Sequence, residues 1–196
     1  MREESVQKQR DFFNGLAREW RKDADVPSEK MERLLEGIVF RPGERVLDLA
    51  CGTGVLDAYL VEKGVRVDAM DVSEKMIERA KAEHADLPVT YFVADFYSYE
   101  AEEGYDKILV FDAYPHFTDR DAFVEKCAAL TKKNGEVRIF FDEKKEKING
   151  HHHGLHTDIS KPLLPAKEEA ERFAKYFDTI TADESFTYVI ALKKRG

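Results

Sequence analysis

Apolar and polar positions along this chain alternate between two periods. Val46-Leu47-Asp48-Leu49 is a short apolar run that ends at Ala50-Cys51-Gly52-Thr53-Gly54, the pattern of a strand entering a glycine turn. Val55 to Lys63 then has helical spacing and is closed by Gly64, a C-terminal cap. Val65 to Met70 reads as a second strand, and Ser73 caps a helix from Glu74 to about Glu83 with Met76, Ile77 and Ala80 on one face. Val89 to Ala94 is a third strand. Lys107 to Phe111 is a fourth, apolar throughout as a buried parallel strand should be.

Asp119 to Leu130 reads as a helix with Phe123, Cys127 and Leu130 facing inward. Asn134-Gly135 marks a turn before a fifth strand, Val137 to Phe141. A long loop containing histidines follows. Pro165 opens a helix through Tyr176, and Ile180 to Lys193 reads as two antiparallel strands around Asp183-Glu184. Strand and helix alternating at this spacing predict an α/β fold, a mostly parallel sheet covered on both faces. The N-terminal segment differs. Phe12, Phe13, Leu16 and Trp20 recur at helical spacing before the first strand, which predicts an amphipathic helix outside the sheet, serving either as core packing or as a lid.

Composition narrows the partners. The 196 residues favour one domain. A net charge of −8 argues against a nucleic acid partner, which a basic face would meet. Cys51 and Cys127 are too few for a disulfide framework and read as small core residues. The chain has neither a signal-peptide pattern at Met1-Arg2-Glu3-Glu4 nor an apolar run of the ~20 residues that cross a bilayer. The expectation is a cytoplasmic protein without a membrane partner, as a monomer or homodimer.

Candidate chemistry lies at the strand ends, where doubly wound sheets bind ligands. Asp48 begins the run that closes on Gly52 and Gly54, glycines that admit a ligand to the backbone and to the free N–H groups of a helix start. Asp71 ends the second strand, 23 residues further on, where a carboxylate can accept both hydroxyls of a ribose. Asp95 follows the third strand and can accept from an adenine amino group, with Phe96 beside it as an apolar wall. One such acid often only caps a helix; three in register with a glycine turn point to a nucleoside. A nicotinamide dinucleotide fingerprint would need a third glycine where Asp57 stands, and a Gly-Lys-Ser/Thr phosphate loop is absent.

This constellation resembles the class I S-adenosylmethionine-dependent methyltransferases. Asp48 to Gly54 looks like the family's first motif, with Ala50 in place of its commonest first glycine. Asp71-Val72-Ser73 with Met76 looks like the ribose and adenine segment, and Ala94-Asp95-Phe96 like the adenine-amino motif. Tyr105 to Val110 and Asn134 to Val137 look like the fourth and fifth strands, and Phe12 to Trp20 is similar to the N-terminal helix of small-molecule members, including quinone-biosynthesis enzymes. The resemblance implies a Rossmann-like, doubly wound seven-stranded sheet with an antiparallel C-terminal strand. It implies lid helices within 1–40, a cofactor core over 44–142, and a loop, helix and terminal strands over 143–196. It implies S-adenosylmethionine held by Asp48, Ala50, Gly52, Gly54, Asp71, Val72, Met76, Asp95, Phe96 and Phe111, and a small-molecule acceptor methylated on O, N or C. A protein or RNA acceptor, and a non-catalytic cofactor- or metal-responsive module, are the alternatives.

The acceptor should enter past strands four and five, at Phe111-Asp112-Ala113-Tyr114-Pro115-His116-Phe117. His116 is the first candidate base, since imidazole titrates near neutrality. Tyr114 is expected to orient the acceptor or face the methyl group. His151-His152-His153-Gly154-Leu155-His156, with Asp158 nearby, can fold over the same mouth. Imidazole and carboxylate ligate zinc, nickel or copper, yet a base or acceptor-binding residue, with His152 as candidate, is preferred to a metal site.

Overall fold

The computed structural model describes residues 2–20, 26–155 and 157–196. A seven-stranded sheet forms its centre, in the order β3-β2-β1-β4-β5-β7-β6. These strands are β1 (Arg45–Leu49), β2 (Arg66–Asp71), β3 (Val89–Val93), β4 (Tyr105–Phe111), β5 (Thr131–Phe140), β6 (Phe177–Asp183) and β7 (Val189–Lys194). The first five pair in parallel, and β7 runs antiparallel to both neighbours. Strand order reverses between β1 and β4, so a crevice opens at the carboxyl ends of those two strands.

Helices cover both faces, and the two-residue alternation along each strand decides what each face receives. Leu47, Leu49, Ile108, Val110, Val137 and Ile139 point to one side. There they meet Phe123 and Cys127 of α5 (Arg120–Leu130) and Ala166 and Ala170 of α7 (Ala166–Glu171). Val46, Val67, Leu109 and Phe140 point to the other. There they meet Met31, Leu34 and Leu35 of α2 (Ser28–Leu35) and Leu60 of α3 (Asp57–Glu62). The central strands therefore carry apolar side chains on both faces, which is why Ile108 to Phe111 reads as an unbroken apolar run. The helix α4 (Glu74–Glu83) begins at Ser73, whose Oγ accepts from the Met76 N–H at 3.1 Å.

Three local expectations change. The Asn134-Gly135 turn is absorbed into β5 as a bulge: the register slips between Tyr105 and Lys107, and Asn134 takes a φ of 61°. The helix opened by Pro165 ends at Glu171, and turns carry the chain from there to β6. The histidine loop contains a short helix, α6 (Lys145–His151), anchored by the one buried apolar side chain it has, Ile148.

The N-terminal helix α1 (Arg2–Leu16) lies outside the sheet and bridges the crevice. On one side Arg10 donates to the Val72 carbonyl, and Asn14 exchanges hydrogen bonds with Ser73, Glu74 and Lys75 at the start of α4. On the other, Gln9 donates to the carbonyls of His116 and Asp158, and Lys8 pairs with the Asp158 carboxylate at 2.8 Å. Among the described residues no helix is long and apolar enough to cross a membrane.

Candidate active site

Under α1 the crevice is a cavity of roughly 580 Å³. Its floor is the turn after β1. Ala50, Gly52 and Gly54 all hold positive φ, at 59°, 56° and 86°, a conformation that glycine adopts without cost and alanine adopts with mild strain. Gly52 also makes room above itself: a β-carbon there would sit 3.2 Å from the Trp20 indole nitrogen. Trp20, just past the end of α1, thus closes over the turn. Its carbonyl and that of Ala17 accept from Arg79 on α4, which ties this segment to that helix.

The three strand-end acids occupy this cavity together. Asp71 accepts the Gly52 N–H through Oδ2 at 2.9 Å and the Ser73 N–H through Oδ1 at 2.8 Å. One carboxylate therefore braces both the glycine turn and the α4 cap. Burial pushes its pKa up to about 6, and hydrogen bonds from the backbone of Ser73, Gly52 and Val72 restrain the rise. Asp48 is fully buried beneath the turn. Burial, and after it the negative charges of Asp57 and Asp71, push its carboxyl well above the usual range. One of its oxygens, Oδ2, has no hydrogen-bond partner among the described residues. Asp95 accepts the Tyr97 N–H at 3.0 Å and keeps an edge on the cavity. Ala50, Gly52, Val72, Met76, Phe96 and Phe111 line it as well. Gly54 does not line it but sets the bend behind it.

A nucleoside bearing an amino-acid tail suits this donor and acceptor set. An acid braced at the end of β2 offers a ribose acceptor, and apolar walls at Val72, Met76 and Phe96 flank a base. Gly52 lines the cavity without a side chain to screen its backbone, and Trp20 packs too close above it for one.

The rest of the cavity is different in character. Val6, Phe12, Phe13, Phe117, Phe141, Ile148 and Leu155 make it apolar, and His116 and His152 line it as well. Burial pulls His116 down to about 4. Its bond to the Ile159 carbonyl works against that shift, and repulsion from positive charge on His152 or Arg120 adds to it. Burial lowers His152 too. His116 is therefore uncharged at neutral pH, and His152 is shifted in the same direction. Asp112, Asp142 and Glu143 line the rim. Asp112 ties the ends of β4 and β5 together, donating its N–H to the Phe140 carbonyl and accepting the Asp142 N–H at 3.0 Å each.

Tyr114 is not where sequence reasoning put it. The short 3-10 turn Tyr114–His116 sends its ring away from the crevice and into the core. There its hydroxyl donates to Glu169 on α7 at 3.1 Å, and the Arg120 guanidinium stacks on its face. It braces the turn that carries His116 rather than facing a ligand. The histidine segment 151–156, where a metal site is the less favoured reading, also spreads apart. Asp158 pairs with Lys8, His151 and His153 are exposed, and His156 lies outside the described residues. Among the described residues no three His, Cys, Asp or Glu side chains converge as a metal site would need. Gln9 and the rim acids Asp142 and Glu143 were missed from sequence, since single polar residues on an amphipathic helix or after a strand carry no distinguishing pattern.

Comparison with known proteins agrees with this geometry. Residues 46–135 match the family described as "Methyltransferase domain". The chain is 35% identical over 114 residues to the ubiquinone biosynthesis O-methyltransferase of Rhodopseudomonas palustris, covering 57% of this chain and 45% of that protein. It is 30% identical over 138 residues to the enzyme of the same name from Xanthomonas campestris, covering 65% and 57%. The chain thus spans about half the length of the curated relatives it matches. Among solved structures, phosphoethanolamine N-methyltransferase 1 of Haemonchus contortus superposes with a TM-score of 0.78 at 14% identity, over all of this chain and 50% of that one. A chain from the Haloferax volcanii complex containing the Trm112 methyltransferase activator superposes with a TM-score of 0.76 at 18% identity, over 94% and 98%. Strand order, glycine turn, strand-end acids and these matches make the chain similar to the class I S-adenosylmethionine-dependent methyltransferases, with the match to a methyltransferase domain confined to residues 46–135.

Proposed function

We propose that this chain transfers a methyl group from S-adenosylmethionine to an uncharged small molecule through an O–H or N–H group. The observation that carries the reading is one continuous cavity joining a braced acid and glycine cradle to an apolar mouth with two imidazoles. When bound, S-adenosylmethionine supplies the methyl as an electrophilic carbon on a sulfonium. Asp71 would accept the ribose hydroxyls, Asp95 the adenine amino group, and the backbone after Asp48 the cofactor's carboxylate. Val72, Met76, Phe96 and Phe111 would wall the base. The lid formed by α1 and Trp20 excludes water and holds the acceptor against the reacting carbon. His116 and His152 would take the proton that the acceptor loses.

Charge narrows the acceptor. Acids line the cavity, while no described lining residue is Lys or Arg. A phosphate or carboxylate on the acceptor would enter without a counter-ion, at a desolvation cost of several kcal/mol. The Haemonchus structure contains phosphoethanolamine; this cavity does not favour such a group. The relatives named for ubiquinone biosynthesis support oxygen as the methylated atom, and the apolar mouth supports an aromatic hydroxyl.

The test has two stages. Calorimetric titration should show micromolar binding of S-adenosylmethionine and S-adenosylhomocysteine and none of NAD. Methyl-labelled cofactor offered with neutral phenols and catechols, carboxylated phenols and phosphoethanolamine should label the neutral ring hydroxyls. Label appearing only on anionic acceptors, or on added protein or RNA, would reject the reading. Binding of NAD alone would reject the cofactor assignment with it.

A further inference from the structure

His116 and His152 reach the cavity from separate parts of the chain, one after β4 and one just past α6. Their Nε2 atoms lie 3.2 Å apart. The other ring nitrogen of each faces a backbone carbonyl: His116 Nδ1 is 2.9 Å from the Ile159 oxygen, and His152 Nδ1 is 2.7 Å from the Ile148 oxygen. A carbonyl oxygen only accepts, so both Nδ1 atoms carry the hydrogen. A neutral imidazole has a single N–H. In the neutral state both Nε2 atoms therefore present lone pairs, and these face each other at hydrogen-bond distance with no hydrogen between them. One added proton would turn that repulsion into an N–H···N bond.

The arrangement is held from several sides. Phe13 of α1 packs edge-on against the His116 ring, with centroids 4.8 Å apart, and Gln9 of α1 donates to the His116 carbonyl at 2.5 Å. The charged and titratable groups acting on the pair are Arg120 of α5, toward His116, and His151 of α6, toward His152. Asp112, Asp142 and Glu143 share the cavity wall. Neither ring can escape the clash cheaply: moving its hydrogen from Nδ1 to Nε2 would set a lone pair against a carbonyl oxygen, and a ring flip would replace the N–H with a C–H.

We propose that His116 and His152 work as one base, sharing a single proton between their Nε2 atoms, and that this proton is the one the acceptor gives up. The proposal deepens the reading of a proton-bearing acceptor and rests on it. The balance is simple. The acceptor atom bonds the methyl carbon as the carbon–sulfur electron pair returns to sulfur. The acceptor keeps the electrons of its bond to hydrogen, and the proton passes to an Nε2 lone pair and is bridged to the other. One positive charge is lost at sulfur and one appears on the pair, so the net charge of an apolar cavity stays constant. A single buried histidine would gain an imidazolium with no acceptor for its new N–H. The pair supplies that acceptor.

The test is nitrogen NMR of histidine-labelled full-length protein, with S-adenosylhomocysteine present and absent, across a pH titration. Both neutral rings should carry hydrogen on Nδ1. The pair should bind its first proton in one step that moves both rings together. In His152→Phe the His116 midpoint should fall by about one pH unit or more, and His116→Phe should do the same to His152, so either variant suffices if the other fails to fold. With a methylated acceptor in hand, kcat of either variant should drop about a hundredfold or more while the cofactor dissociation constant holds. Separate midpoints for the two rings, an Nε2–H in the neutral state, or an unmoved His116 midpoint would overturn the proposal. So would stoichiometric zinc retained by the wild type and lost in His152→Phe, since a metal would then occupy the place of the proton. Rings that titrate as one in a protein that never methylates a neutral hydroxyl would sink the acceptor reading and leave the pair standing. Full kcat in both Phe variants would do the reverse.

Discussion

Asp71→Ala is expected to raise the dissociation constant of S-adenosylmethionine by about ten- to a hundredfold, since charge-assisted hydrogen bonds contribute roughly 1.5–3 kcal/mol and 1.4 kcal/mol is a factor of ten. Two losses combine in that number. The carboxylate would no longer meet the ribose hydroxyls. The N–H groups of Gly52 and Ser73, which it now accepts at 2.9 and 2.8 Å, would lose their partner. Asp71→Asn separates the two, because its amide oxygen keeps one brace while its NH2 faces the other donor; its affinity should fall between wild type and alanine. Calorimetry at pH 7.5 with S-adenosylhomocysteine as a second ligand decides the matter. Wild-type affinity in the alanine variant would remove Asp71 from the cofactor site.

The same residue makes binding depend on pH. Its carboxyl titrates near 6 in the folded chain, against 3.8 for an ordinary aspartate. The folded state therefore holds this proton more tightly than the unfolded state does. The stability it contributes to the empty protein is fully present below about pH 4 and is lost as pH rises through about 6. The ionised form accepts hydroxyls much more strongly than the neutral acid, so cofactor affinity should move the other way, strengthening about tenfold between pH 5 and pH 7.5. Binding near pH 6 should release protons, measurable as a buffer-dependent heat. In Asp71→Ala both the affinity slope and the proton release should flatten; an unchanged slope would mean that a different group controls it.

The half of this cavity proposed here to hold the cofactor could be brought together from the sequence because short-range chemistry builds it. Asp48, Gly52, Asp71 and Asp95 each sit at or just past the end of a strand whose apolar run is itself visible, and parallel pairing carries all those ends to one edge of the sheet. The acceptor half depends on distant partners. Tyr114 follows β4 by three residues, but Glu169, 55 residues away, and Arg120 decide that its ring turns inward. His152 ends a helix of charged and small residues with one apolar anchor, a segment without the periodicity that announces a helix. Gln9 occupies a helix otherwise read by its aromatic face, and its partners lie 107 and 149 residues away. Local patterns cannot encode such contacts.

Gly54→Ala is expected to lower stability by about 2–5 kcal/mol, combining the ~1–2 kcal/mol of a left-handed alanine with the ~1–3 kcal/mol of an overpacked site. For a chain of this size that is a fall in thermal midpoint of roughly 4–20 °C. Gly54 has a φ of 86°, and a β-carbon there would stand 2.5 Å from Asp57 Oδ2 and 2.9 Å from the His84 ring. His84 is partly exposed and can swing aside. Asp57 is fully buried beside the Asp48 carboxyl and has no space to retreat. The clash therefore falls on Asp57, and a double-mutant cycle can expose it. Gly54→Ala combined with Asp57→Ala should recover the overpacking share of the loss and keep the left-handed share. Calorimetric midpoints of the four proteins give the coupling. Strictly additive shifts would show that Asp57 does not receive the added methyl, and would shift the requirement for glycine to backbone conformation alone. Because Gly54 sits behind the cavity wall and not in it, the folded fraction of the variant should still bind S-adenosylhomocysteine within a few-fold of wild type. That separates this position from Gly52, where a β-carbon would press on Trp20 and disturb the lid itself.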